Sequence, residues 1–217
     1  VMDHDPEEIK RKISINTSLA PVEYANHKIN LLDTPGFFDF VGEVKAGVRV
    51  ADAGIVVVCA ASGVEVGTEK VWSYLEERDL PRIVFINKMD RENANFHHVY
   101  DQLKSKFGAR VIPIQIPIGA AESFKGYVDV IAGKAYVNGK EEEVPTDLKG
   151  QVEEYYHLLL EAAAETDDDL LSKYLEGEEL TKEEVLNGFR KGTMARQIIP
   201  VMCGSALKNI GIEDLLK

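Results

Sequence analysis

The sequence lacks any apolar run long enough to cross a bilayer. Its longest, residues 53–61, is strand-sized, whereas a spanning helix needs about 20 residues. The opening VMDHDPEEIKRK has no apolar stretch of the kind that marks a secretory signal. Cysteine is scarce: only Cys59 and Cys203, each inside an apolar run. That excludes a disulfide-stapled scaffold and points to a reducing, cytoplasmic setting. The 17 Gly and 8 Pro are ordinary and form no repeat, which excludes collagen-like and low-complexity classes. Basic charge is also in deficit, with 25 Lys and Arg against 37 Asp and Glu. A simple nucleic-acid-binding domain needs clustered cations to release counterions, so no DNA partner is expected. The deficit is local. Residues 139–184 hold 16 acidic and 4 basic side chains, a balance of −12, and the remainder holds 21 of each. This segment reads as a separate acidic lobe.

What is present is 45% hydrophobic residues over 217 positions, enough for one core and a smaller second lobe. Residues 28–32 form an apolar run ending at Asp33. Residues 53–61 are β-branched without polar alternation, as in a strand buried on both faces of a parallel sheet. Residues 68–78 carry Val71, Trp72 and Leu75 at helical spacing, and 82–86 form a third strand. Residues 93–107 place Phe96, Val99, Tyr100, Leu103 and Phe107 on one helical face, with Gly108 as the stop. Strands separated by helix-length patterns imply βαβ units and a doubly wound, mostly parallel sheet. The pattern then changes. Residues 110–118 are extended with two prolines, suiting an edge strand. Residues 127–137 read as a strand kinked at Gly133, and helices follow over 147–165, 168–175 and 181–191, the last opened by a Thr181/Glu184 capping box. A buried strand returns at 197–203. The expected organisation is α/β, with 1–108 and 197–217 as the core and 109–196 as an inserted α+β lobe.

Three loops carry chemistry. Asp33-Thr34-Pro35-Gly36 closes a strand, where open α/β sheets bind ligands. An Asp there can hold magnesium through water, and the glycine lets its N–H approach a terminal phosphate. Asn87-Lys88-Met89-Asp90 closes another strand. A carboxylate at Asp90 can accept from both N1–H and the 2-amino group of guanine, a donor pair adenine lacks. Lys88 can lie over the base, and Asn87 can tie neighbouring loops. Gly204-Ser205-Ala206 follows the returning strand, and its N–H groups suit the guanine O6. His97 and His98 are adjacent on one helix and read as solvated; Asp167-Asp168-Asp169 reads as a helix-start cluster.

DTPG, NKMD and GSA in this order resemble the signature loops of the translational GTPases. The stretches VMDHDPEEIKRKISINTS, DTPGFFDF, PRIVFINKMDR, KYLEGEE and GSALKN resemble elongation factor G and its relatives over essentially the whole chain. The resemblance implies a P-loop NTPase-like fold with the G′ subdomain inserted at 109–196. It implies GTP/GDP and magnesium as ligands, the ribosome as partner, the ribosomal stalk protein as a partner of the acidic lobe, and a monomer in the cytoplasm. It places Ser14 and Asp33 at the metal, Thr34, Pro35 and Gly36 at the phosphates, and Asn87, Lys88, Met89, Asp90, Ser205 and Ala206 around the nucleotide.

Three departures stand out. No G-x-x-x-x-G-K-[ST] phosphate loop occurs in the chain, so the first strand, phosphate loop and first helix of such a domain are expected to lie upstream. Ser14, preceded by Lys12-Ile13, stands where the family has threonine in R-G-I-T-I. Phe37 stands where the family has the catalytic histidine after DTPG, and phenylalanine cannot orient water. Phe37 therefore marks a degenerate catalytic position. Two alternatives follow: a hydrolysis-impaired, GTP-dependent ribosome-binding regulator, and, for this segment alone, a protein-interaction module.

Overall fold

The computed structural model describes residues 2–216, which fall into two compact units, residues 2–54 with 65–80 and 216, and 55–64 with 81–215. The ends of the predicted core, Val1 and Lys217, lie outside the described residues.

In the first unit, helix α1 (Pro6–Arg11) starts at Asp5, whose side chain accepts from the Glu7 N–H. Pro6 occupies the first turn, and the helix ends at Lys12 with φ 55°. Strands β1 (Ser18–Tyr24) and β2 (His27–Asp33) form an antiparallel ribbon with Ser18 opposite Asp33. Their turn uses Ala25 (φ 47°) and Asn26 (φ 63°), the paired positive φ that matches strand twist. The strand expected at 28–32 is therefore one arm of a hairpin. Helices α2 (Val41–Val50) and α3 (Val66–Glu77) pack together. Trp72 and Leu75 of α3 are buried, as their spacing predicts.

The second unit holds two four-stranded sheets. In the first, strands β3 (Gly54–Cys59), β4 (Arg82–Asn87), β5 (Val111–Pro113) and β10 (Ile199–Cys203) lie in the order β3-β4-β10-β5, with β10 parallel to β4 and to β5. This is the expected parallel α/β sheet. Helix α4 (Phe96–Phe107) buries Phe96, Val99, Tyr100 and Leu103 and stops at Gly108 (φ 91°). The second sheet is antiparallel: β6 (Gln115–Ile118), β7 (Gly126–Asp129), β8 (Lys134–Val137) and β9 (Lys140–Glu142) in sequence order. Helices α5 (Lys149–Ala164), α6 (Asp168–Leu175) and α7 (Lys182–Met194) follow, and α8 (Ile212–Leu216) closes the described chain. Ile112 of β5 packs with Leu159 and Ala163 of α5, Val185 of α7 and Ile198. The close approach of α5 and α7 requires Gly188, where a Cβ would stand 2.7 Å from the Ala163 carbonyl oxygen.

Three expectations change. The strand over 53–61 is buried on one face only: Val56 and Val58 are buried, but Ile55 and Val57 are 46% and 59% exposed. The reason is position, since β3 is the end strand of its sheet among the described residues. The single strand over 110–118 is two strands in two sheets. Each sits at a sheet edge, so Pro113 and Pro117 cost no ladder bond. The kink at Gly133 (φ 64°) is a reversal between β7 and β8, because Asp129 and Lys134 pair directly.

Candidate functional site

In the first unit, Asp33 ends β2, Pro35 is buried, and Gly36 and Phe37 are exposed. A Cβ added at Gly36 would meet nothing within 4 Å. Thr34 packs against α2, where its methyl would lie 2.7 Å from any Cβ at Gly47. Glu8 organises the segment bearing Ser14. Its buried carboxylate accepts from the N–H groups of His4, Asp5, Ile15 and Asn16 at 3.2, 3.0, 2.9 and 3.0 Å. Those backbone donors, Asn16 and Ile15 foremost, lower its pKa to about 2. The Ser14 hydroxyl donates to Asp3 Oδ1 at 2.8 Å. Partial desolvation, then the charges of Asp3 and Glu8, push the Asp33 carboxyl above the ordinary carboxylate range. Asp3 is a residue the sequence reading passed over; nothing in its spacing marks it. Together Asp3, Ser14 and Asp33 supply hard oxygen donors and excess negative charge, which fit magnesium.

Phe37 precedes the short 3₁₀ turn Phe38–Phe40 and is 55% exposed. Phe38 is 45% exposed, and the Lys70 ammonium lies 4.2 Å from its ring centre. Neither ring is buried.

In the second unit the other two loops are stitched together. Gly204 donates its N–H to the Ile86 carbonyl at 3.0 Å, and its own carbonyl accepts the Met89 N–H at 3.1 Å. Only glycine fits there: a Cβ would lie 2.2 Å from the Ile210 carbonyl oxygen and 2.7 Å from the Phe85 ring. Asn87 Oδ1 accepts from both the Lys88 N–H (2.7 Å) and the Ala206 N–H (2.9 Å). Asn87 thus ties the loops, as its chemistry suggested. Lys88 is exposed with φ 64°. Asp90 is half-buried, and no hydrogen bond or ion pair engages its carboxylate among the described residues.

Two expected residues contribute differently. Met89 is fully buried, so its side chain anchors the loop and only its backbone reaches the neighbouring segments. Ser205 is buried, with its N–H on the Ile210 carbonyl and its hydroxyl accepting from the Lys208 N–H. With the Ala206 N–H on Asn87, any base oxygen reaching Ala206 must displace that bond. Leu207, 91% exposed, is a second residue the sequence reading missed, since a lone loop leucine carries no signal until its exposure is known. Cys59 lies near Lys88. Partial burial would raise its thiol, but the N–H groups of Ala61 and Ser62, the Ser62 hydroxyl and the Lys88 charge draw it below the usual range. Cys203 is buried, and burial pushes its thiol well above that range.

His97 and His98 are exposed and meet Gln151 and Gln102. Asp167 caps α6 and pairs with Lys191 at 2.8 Å. No group of three potential metal ligands from His, Cys, Asp or Glu was found among the described residues, so a cation at Asp3, Ser14 and Asp33 would need the serine hydroxyl and ligands from outside the protein. Among the described residues no helix is long and apolar enough to cross a membrane.

The family model of the elongation factor Tu GTP binding domain matches residues 1–217. The chain is also similar to the crystal structure of ttk003000868 from Thermus thermophilus, with 37% identity and a TM-score of 0.92. That match covers 99% of this chain and 33% of the other, so the chain spans about a third of the protein it resembles.

Proposed function

Because this chain belongs to the elongation factor Tu GTP-binding domain family, which matches its whole length, we propose that it is the guanine-nucleotide-binding part of an elongation factor G-like translational GTPase acting on the ribosome. One observation carries the reading: residues 86–90 and the loop Gly204–Ala206 are joined by three hydrogen bonds, leaving the Asp90 carboxylate unpaired beside them among the described residues. That carboxylate accepts from guanine N1–H and the 2-amino group. The stem of Lys88 and the exposed Leu207 offer apolar surface to the faces of the base. Ala206 meets O6 by exchanging its bond to Asn87.

Ser14 and Asp33, with Asp3 near them, would hold magnesium. Magnesium bound there would supply positive charge to offset that of the phosphates. The Gly36 N–H faces the terminal phosphate. Residues 109–196 form the inserted lobe, and its acidic helices are the surface offered to the ribosomal stalk protein. In the full-length protein, competition of GDP and of ADP against a fluorescent guanine nucleotide tests the base site. GDP should win by at least about a hundredfold, the effect of two charge-assisted hydrogen bonds. Equal competition would refute it.

The exposed Phe37 favours a second reading, a regulator that binds GTP and hydrolyses it slowly. Single-turnover hydrolysis on ribosomes separates the two. A third reading treats the segment as an interaction module. Residues 1–217 contain no phosphate-loop motif, so the segment alone should bind GTP more weakly than micromolar. Calorimetry showing tighter binding would overturn that assignment of the phosphate-binding role.

A further inference from the structure

The parallel sheet loses a rung where it matters for the base site. Strand β10 pairs with β5 in the register Ile199 to Val111 and Val201 to Pro113. The Ile199 N–H donates to the Arg110 carbonyl at 2.7 Å, and the Ile114 N–H donates to the Val201 carbonyl at 2.9 Å. Continued by one step, the ladder would carry the Cys203 N–H to the Ile114 carbonyl. That carbonyl has left: it accepts the Val130 N–H at 3.0 Å, because the chain turns into the antiparallel sheet at β6. The Cys203 N–H is then stranded in the interior, with Cys203 fully buried. The Gln115 side chain fills the gap. Its Oε1 accepts the Cys203 N–H at 3.1 Å, and the residue is 2% exposed.

Cys203 directly precedes Gly204-Ser205-Ala206. The loop is thus pinned on one side to β4 through Gly204 and on the other to β6 through Gln115. A few residues further along, the Ala121 N–H donates to the Met89 carbonyl at 2.9 Å. The segment 115–121 therefore grips both base loops, one through a side chain and one through its backbone.

We propose that Gln115 is a positioning residue for guanine recognition, its amide oxygen replacing the missing rung that fixes the start of the Gly204–Ala206 loop. This rests on the base-site reading above. The loop's atoms have little slack, since Gly204 tolerates no added carbon. A Cys203 N–H without an acceptor would move toward another one and carry the loop with it.

The test uses the full-length protein and competition by GDP and ADP. Gln115→Met keeps the length and removes the acceptor; Gln115→Glu keeps an oxygen in place and enters the core protonated. The preference for GDP over ADP should fall about tenfold in Gln115→Met and stay within about threefold of wild type in Gln115→Glu. A purely structural residue would weaken both nucleotides alike, so an unchanged preference in Gln115→Met overturns the proposal, as does equal loss in both variants. Hydrogen exchange on the unmodified protein needs no variant. The Cys203 amide should exchange as slowly as that of Val201, and fast exchange at Cys203 overturns the proposal. Wild type that does not distinguish GDP from ADP refutes the base site itself, a different outcome from a wild-type preference that Gln115→Met leaves intact.

Discussion

Asn87→Ala removes the acceptor that holds two loops together. Asn87 Oδ1 takes the Lys88 N–H at 2.7 Å and the Ala206 N–H at 2.9 Å. Both donors belong to exposed residues, so water replaces part of what is lost. Each bond then contributes about 0.5–1.5 kcal/mol net, or about 1–3 kcal/mol for the pair. Lys88 adds to this, because its φ of 64° is unfavourable for a residue with a Cβ and is held by the first bond. For a chain of this size each kcal/mol shifts Tm by roughly 2–4 °C, so Asn87→Ala should melt about 5 °C below wild type. Asn87→Asp keeps an oxygen in place and should melt within about 2 °C of wild type. Thermal unfolding followed by circular dichroism, with hydrogen exchange at 203–207, reads both effects. If Asn87→Ala melts with wild type, or Asn87→Asp falls as far, the stitch between the loops does not hold them.

Three further outcomes follow from other parts of the molecule. The folded pKa of Glu8, about 2, lies below its ordinary 4.5. Its stabilisation is therefore complete above pH 4.5 and is lost as pH falls toward 2. Amides of Ile15 and Asn16 should lose protection across that window, whereas Glu8→Gln should expose them at neutral pH; protection in Glu8→Gln equal to wild type would sink this account. Gly188→Ala places a methyl 2.7 Å from the Ala163 carbonyl oxygen. The resulting separation of α5 and α7 should cost about 1–3 kcal/mol despite alanine's better helix propensity, and a denaturant midpoint at or above wild type would contradict it. Phe37→His in the full-length protein should raise ribosome-stimulated hydrolysis at least tenfold, about 1.4 kcal/mol of barrier, with GTP affinity unchanged. An unchanged or lower rate would show that this position is not a lost catalytic one.

The helices over 93–107, 168–175 and 181–191 could be read from the sequence because their apolar faces and caps are local. Asn95 caps α4, and Thr181 with Glu184 forms the capping box of α7. The meeting of the 87–90 and 204–206 loops could be read because Asn87 has the chemistry to tie neighbouring loops, and it does so through the Ala206 N–H. Strand partnership was harder. Ala25-Asn26 reverses β1 into β2 without the Asn-Gly signal of such turns, and Gly133 marks a kink and a reversal equally well. Glu8 and Gln115 were invisible for another reason. Glu8 reaches the N–H groups of Ile15 and Asn16, and Gln115 reaches that of Cys203, 88 positions away. No local pattern encodes a side chain whose partner is a backbone group elsewhere in the fold. The exposure of Ile55 and Val57 is a matter of sheet position, which residue type alone does not report.

The most direct test of the account is Asp90→Asn in the full-length protein, measured by competition of GDP and xanthosine diphosphate. Xanthine carries a carbonyl where guanine has its 2-amino group. A carboxylate at Asp90 repels that oxygen, whereas an amide donates to it and still accepts from N1–H. Wild type should prefer GDP. Asp90→Asn should reverse the preference, with a combined change of at least about a hundredfold, about 2.7 kcal/mol. A variant that binds GDP as wild type does, with no gain for the xanthine nucleotide, would show that Asp90 does not read the base.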